Sequence, residues 1–249
     1  MSSDEEDVQT KRRKIGETQP QRSAVLFSFN NIDFTTADSA RIDDKNWLND
    51  HVLSFWIWEI KKKMKGADKV FIFESSFMSV LLRDNTYDYE RVKRWTTKRD
   101  INIFENNFLL VPAHVSGNHW ILLVANLRER VVTVMNSLDE REKYLNLKEV
   151  LVTYLEDEFK TLKGIAPIDK HFEVVDDVNS PKQENGYDCG IFVLIFIERI
   201  VKLSREVEEN KGAVDRKVRI LSPVSKENAI QKRMDILAAV AEEIDRKEE

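Results

Sequence analysis

A second cysteine is missing from this chain: Cys189 is the sole thiol among 249 residues. No intrachain disulfide can form, and a lone thiol fits a reducing compartment, the nucleus or the cytoplasm. The four histidines, His51, His114, His119 and His171, are scattered. His114 and His119 lack the one-turn spacing and the intervening Glu of a zinc-protease helix, so no metal and no cofactor is expected. No run of about 18 uncharged apolar residues occurs, which argues against a membrane span. The acidic, polar start MSSDEEDVQ does not read as a secretory signal. Basic charge is also too scarce for a general nucleic-acid binder: 39 Lys and Arg face 44 Asp and Glu, for a net charge of −5. Internal repeats and coiled-coil heptads are absent, so the chain is expected to act as a monomer.

What is present suffices for one core. Hydrophobic residues make up 42% of the chain, and the length suits one domain better than two. Residues 1–23 carry DEED, KRRK and ETQPQRS with almost no apolar content, and are expected to form a disordered tail. The KRRK cluster at 11–14 reads equally as a nuclear-import signal or as a solvated basic patch. Residues 24–249 are the expected globular domain.

Within that domain, VLFSF (25–29) predicts a short strand. Residues 49–64 predict a helix capped by Asn49, with Leu48, Val52, Phe55, Trp56, Ile60 and Met64 at helical spacing. Three β-rich runs follow at 108–112, 119–127 and 130–136; the polar turn around Arg128 and Glu129 predicts an antiparallel hairpin between the last two. A second amphipathic helix spans 145–163, with Gly164 as its stop, and HFEVV (171–175) predicts another strand. CGIFVLIFIERIVKL (189–203) is apolar on nearly every face of its first half, the mark of a helix buried in the core. The last helix spans about 225–247, with Ile230, Met234, Leu237, Ala241 and Ile244 forming its apolar face. This order predicts an α+β domain in which helices pack against a mostly antiparallel sheet.

Cys189 would open the buried helix, where the positive end of the helix dipole favours a thiolate. Gly186 and Gly190 beside it would let the backbone turn sharply and approach a substrate closely. A thiol in that setting is also, by itself, an ordinary small core residue. His119 begins a strand after the polar loop VSGN, a position from which an imidazole can serve as the base. Asn136 ends the paired strand, where its side-chain carbonyl can hold the imidazole N–H in a Cys-His-Asn arrangement. Gln183 can offer an amide N–H to a developing oxyanion beside the Cys189 backbone N–H.

The motifs WLND (47–50), GNHW (117–120), MNSL (135–138) and QENGYDCG (183–190) together resemble the ubiquitin-like-protein proteases, the group containing SUMO proteases and deneddylases. The likeness runs from about Phe29 to Ile244, with FIFESSFMSVLL (71–82) joining the first helix to the sheet. The resemblance implies a papain-like cysteine protease fold. It matches Cys189 to the nucleophile, His119 to the base and Gln183 to the oxyanion amide. Trp47 and Trp120 match the indoles that roof a narrow tunnel for the modifier's Gly-Gly tail, a space two rigid aromatic faces would restrict to glycine. Asp50 matches a position that contacts the tail, although a charge at a helix start explains it equally. Asp188 is given a loop role only.

One departure stands out: Asn136 occupies the position where that family usually carries Asp. Asp139, three residues on, is an alternative for the role, although it breaks the motif register. The substrate implied is a ubiquitin-like modifier and its conjugates, with the neddylation modifier ranked ahead of SUMO from the wording of WLNDH and NGYDCG. The rival from another class is a modifier-binding module without turnover, favoured by Asn136 and opposed by the presence of Cys189, His119 and Gln183.

Overall fold

The computed structural model describes residues 23–248 apart from 44, 116, 139–144, 164–170, 176–178 and 210–221. The KRRK cluster, Asp139 and Gly164 lie outside the described residues. A hairpin comes first, β1 (Val25–Phe29) with β2 (Ile32–Thr35), antiparallel. Its phenylalanines, Phe27 and Phe34 stacked at 4.9 Å, pack against Phe55 of helix α1 (Asp50–Lys63). Asn49 caps α1 as expected, its side chain accepting the Val52 N–H at 3.1 Å. Lys61, Lys62 and Lys63 close the helix, where cations meet its negative end.

The central sheet has five strands in the order β3-β4-β5-β6-β7: Val70–Ile72, Phe108–Val115, His119–Asn126, Val131–Met135 and Glu173–Val174. Its middle is antiparallel, with His114 opposite Trp120 and Leu122 opposite Met135. Both edge strands join it in parallel, an addition to the mostly antiparallel expectation. β4 and β5 are continuous apolar runs because both faces of the sheet are covered. Leu110, Trp120, Leu122 and Val124 face one core, and Leu109, Val111, Ile121 and Leu123 face the other. The first core is shared with α1 and helix α3 (Cys189–Glu209), the second with helix α2 (Leu145–Lys163) and residues 73–104.

Every residue of α3 from Cys189 to Ile197 is buried, as the all-round apolar pattern required. The helix continues six residues past the predicted end, through the polar run SREVEE. Helix α4 (Lys226–Glu248) corrects the predicted orientation. Its buried residues are Ala229, Arg233, Ile236, Ala239 and Val240, whereas Ile230, Met234 and Leu237 are exposed, Met234 by 57%. The rotation follows from Arg233, a charged residue whose partners lie inside the fold.

Candidate active site

The end of the sheet where β4 turns into β5 carries the first group. His119 is the buried first residue of β5, and its Nε2 lies 2.8 Å from Oδ1 of the buried Asn136, just past the end of β6. That oxygen also accepts the Leu138 backbone N–H at 3.0 Å. A backbone N–H can only donate, so the amide is oriented oxygen-first and Nε2 must carry the imidazole proton. Nδ1 is then the nitrogen available as a base. The Asn136 Nδ2 is buried without a hydrogen-bond partner.

Cys189 is the first residue of α3, with 1% exposure. Its sulfur meets the backbone N–H of Trp120, the residue after His119, which brings the two motifs together. Burial pushes the thiol up from its ordinary value, and the adjacent Asp188 carboxylate adds to the rise; the N–H groups of Trp120, Gly190 and Cys189 oppose it. The helix terminus therefore does not activate this thiol alone, contrary to the simplest dipole expectation. A thiolate here requires a partner that takes the proton and stays beside it as a cation. Gly190 is needed for close packing: a Cβ there would sit 3.0 Å from Leu48 Cβ and 3.3 Å from Trp120 Cδ1. Gly186 faces open space and is not constrained in this way.

Gln183 is held at both ends of its amide. Oε1 accepts the Ser137 hydroxyl at 2.6 Å, and Nε2 donates to the Asn185 carbonyl at 2.6 Å. The Gln183 backbone N–H adds a bond of 2.9 Å to the Ser137 carbonyl. Ser137 is the neighbour of Asn136, so a single buried dipeptide holds both the imidazole and the glutamine. Nε2 keeps a second N–H beyond the one given to Asn185.

The aromatic pair divides. Trp120 is buried, its indole N–H donating to Leu48 O at 2.9 Å and its ring 4.6 Å from that of His114. Trp47 is 47% exposed, and its indole N–H donates to Gly186 O at 2.7 Å, tying the loop before α1 to the loop before Cys189. Asp50 is exposed in the first turn of α1. Burial lowers the His114 pKa and the charge of Asp50 opposes that, so Asp50 lies within electrostatic reach of His114. Asp188 has more than a loop role: it is a buried carboxylate paired with Arg233 at 2.7 Å. Ser137, Asn185 and Arg233 were not singled out from sequence. The first two lie inside the recognised motifs, but Arg233 has no local signal. Among the described residues no group of His, Cys, Asp and Glu could hold a metal ion, and no helix is long and apolar enough to cross a membrane.

Residues 46–246 match the family model described as Ulp1 protease family, C-terminal catalytic domain. Ubiquitin-like-specific protease ESD4 of Arabidopsis thaliana is 32% identical over 176 residues, covering 68% of this chain and 35% of the relative. Sentrin-specific protease 2 of Homo sapiens is 29% identical over 180 residues, covering 71% of this chain and 29% of the relative. The match thus spans about a third of the length of those curated relatives. Among solved structures, SUMO protease Ulp1 with its catalytic cysteine oxidised to a sulfenic acid superposes with a TM-score of 0.68 at 22% identity, over 88% of this chain and 89% of that one. The Ulp1 protease domain in complex with Smt3, the yeast ortholog of SUMO, gives 0.66 at 22% identity, over 90% and 89%. Both share the fold.

Proposed function

Because the chain belongs to the Ulp1 protease family, we propose that it is a cysteine protease and isopeptidase cutting after the Gly-Gly terminus of a ubiquitin-like modifier. The observation that carries this reading is the buried His119–Asn136 pair at 2.8 Å, set beside the Cys189 sulfur at the Trp120 N–H. Nδ1 of His119 takes the thiol proton, and the resulting imidazolium stabilises a thiolate that burial would otherwise disfavour. The thiolate attacks the carbonyl carbon of the terminal glycine. Negative charge then forms on the carbonyl oxygen, where the second Nε2 N–H of Gln183 and the Cys189 N–H meet it. The C–N bond breaks as His119 returns its proton to the leaving amine, an α-amine or a lysine side chain. The remaining thioester is hydrolysed by a water that His119 deprotonates, releasing the modifier and restoring Cys189.

Trp47, Trp120 and Asp50 are assigned to the mouth through which the Gly-Gly tail enters. SUMO is the modifier this reading puts first. The sequence-based ranking of the neddylation modifier draws no support from the relatives, whereas the solved neighbours include SUMO protease Ulp1, once in complex with Smt3. The reading keeps the expectation of a monomer, and the lone thiol suits a reducing compartment, nucleus or cytoplasm. Residues 24–249 constitute the catalytic unit in this reading, with 1–23 outside it.

The test is labelling by modifier probes with a thiol-reactive C-terminus, run in parallel for SUMO, the neddylation modifier and ubiquitin. SUMO labelling that disappears in Cys189→Ala, with release of a C-terminal fluorophore by the unmodified protein, is the expected result. Preferential labelling by the neddylation modifier would restore the other ranking. Modifier binding without labelling or turnover would favour the non-catalytic module.

A further inference from the structure

Arg233 is the strangest residue of α4. It is a guanidinium with 4% exposure on a helix whose apolar residues Ile230, Met234 and Leu237 face outward. Burying a charge is costly unless it is fully paired, so its contacts define why it is there. It makes two sets. Nη2 and Nε donate to Asp188 Oδ1 at 2.7 and 3.3 Å. Nη1 donates to the carbonyls of Ile42 and Asp43 at 3.1 and 2.9 Å, and Nη2 to that of Asn46 at 3.0 Å.

Each set leads to the site. The Asp188 arm continues through Oδ2, which accepts from Asn185 Nδ2 at 2.7 Å, and the Asn185 carbonyl accepts from Gln183 Nε2 at 2.6 Å. Gln183 in turn is held by Ser137, the neighbour of Asn136. The other arm fixes the carbonyls of Ile42, Asp43 and Asn46, just before Trp47. The two loops touch once more outside, where the Trp47 indole donates to Gly186 O at 2.7 Å. A lysine has the charge but not the planar fork that reaches all these acceptors.

We infer that Arg233 is a positioning residue of the active site, locking the loop that carries Trp47 to the loop that carries Gln183 and Cys189. It touches neither substrate nor reacting atoms. It sets the distance between the indole at the tail entrance and the amide at the oxyanion, so that one modifier tail engages both together. Ile236 and Val240 supply the apolar packing of the helix, which leaves the guanidinium's contacts with the two loops as its distinctive role.

This inference rests on the proposed protease activity, and the experiment separates the two. Arg233→Lys is compared with the unmodified protein in three measurements: turnover of SUMO bearing a C-terminal aminomethylcoumarin, alkylation of Cys189 by iodoacetamide, and amide hydrogen exchange. The expected result is a 10- to 100-fold loss of kcat/KM at a cooperative melting transition, with alkylation changed less than threefold, because a small reagent needs the thiol but not the spacing between Trp47 and Gln183. Exchange should accelerate at least tenfold in residues 42–47 and 183–188 together, while β5 stays protected. Turnover within twofold of the unmodified protein, or turnover and alkylation falling in parallel, would overturn the assignment. If Arg233→Lys does not fold, Asp188→Asn replaces it: the isosteric amide has a single acceptor oxygen and cannot serve both Arg233 and Asn185 Nδ2, so the same loss of kcat/KM is expected, with alkylation equal or faster because a charge that raises the thiol pKa is gone. If the unmodified protein releases no coumarin from SUMO, the neddylation modifier or ubiquitin, the protease reading fails. The exchange measurement then decides alone: coupled loss of protection in both loops supports the lock, and loss in one or neither overturns it.

Discussion

Asn136 Oδ1 accepts from both His119 and the Leu138 backbone, so the residue orients the imidazole without contributing charge. Asn136→Asp would place a carboxylate against the imidazolium, and an opposite charge at that distance raises a histidine pKa. The protonated form needed by the thiolate pair would then persist to higher pH. The basic limb of a kcat/KM profile is expected to move upward, with kcat equal or higher; a large loss in a folded variant would refute the orienting role. Gln183→Ala tests the oxyanion amide: kcat should fall by about 10²–10³-fold with KM little changed. Cys189→Ala should end cleavage while calorimetry still detects the modifier. In His119→Ala the thiol keeps the burial and the Asp188 charge that raise its pKa but loses its proton acceptor. Iodoacetamide alkylation near neutral pH should therefore slow at least tenfold.

At the scale of elements, periodicity served where an element was long and its burial uniform. Helix α1 and its Asn49 cap, strands β4 to β6 and the buried half of α3 all appear where the apolar pattern put them. β3 was missed: it is three residues long, Val70–Ile72, overlapping the start of FIFESSFMSVLL, too short for an alternation to register. α4 was found but its face was misjudged, because two stripes compete. Ile230, Met234 and Leu237 are more hydrophobic than Ala229, Arg233 and Ala239, yet the smaller residues allow close packing and the arginine has an internal partner. Glutamate at Met234 should shift stability by no more than about 0.5 kcal/mol, whereas Ile236→Ala should cost about 2–5 kcal/mol in urea unfolding. The opposite ranking would restore the sequence-based orientation.

The whole molecule explains why the proposed catalytic residues were legible and their support was not. Cys189, His119, Asn136 and Gln183 sit in compact motifs whose residue types state their chemistry. The bonds that hold them span the chain: Ser137 to Gln183 across 46 positions, Trp47 to Gly186 across 139, Arg233 to Ile42 across 191. No local pattern encodes such pairs. The same architecture makes α4 integral to the core, to which it contributes Ile236, Val240 and the Arg233 pair. A chain ending at residue 222 is expected to lose its single cooperative urea transition; a sharp transition of unchanged slope would show that the sheet and α1 to α3 are self-sufficient.

Arg233 also orders events in time. On the ribosome, residues 42–46 emerge nearly 200 positions before the guanidinium that anchors them. The thiol, imidazole and amide are all translated while that anchor is still unmade, and long-range contacts of this kind form late. A growing polypeptide would thus carry its nucleophile for dozens of residues without the frame that makes it proficient. Competence would arrive only when the last helix docks, sparing modifier tails from a half-made enzyme.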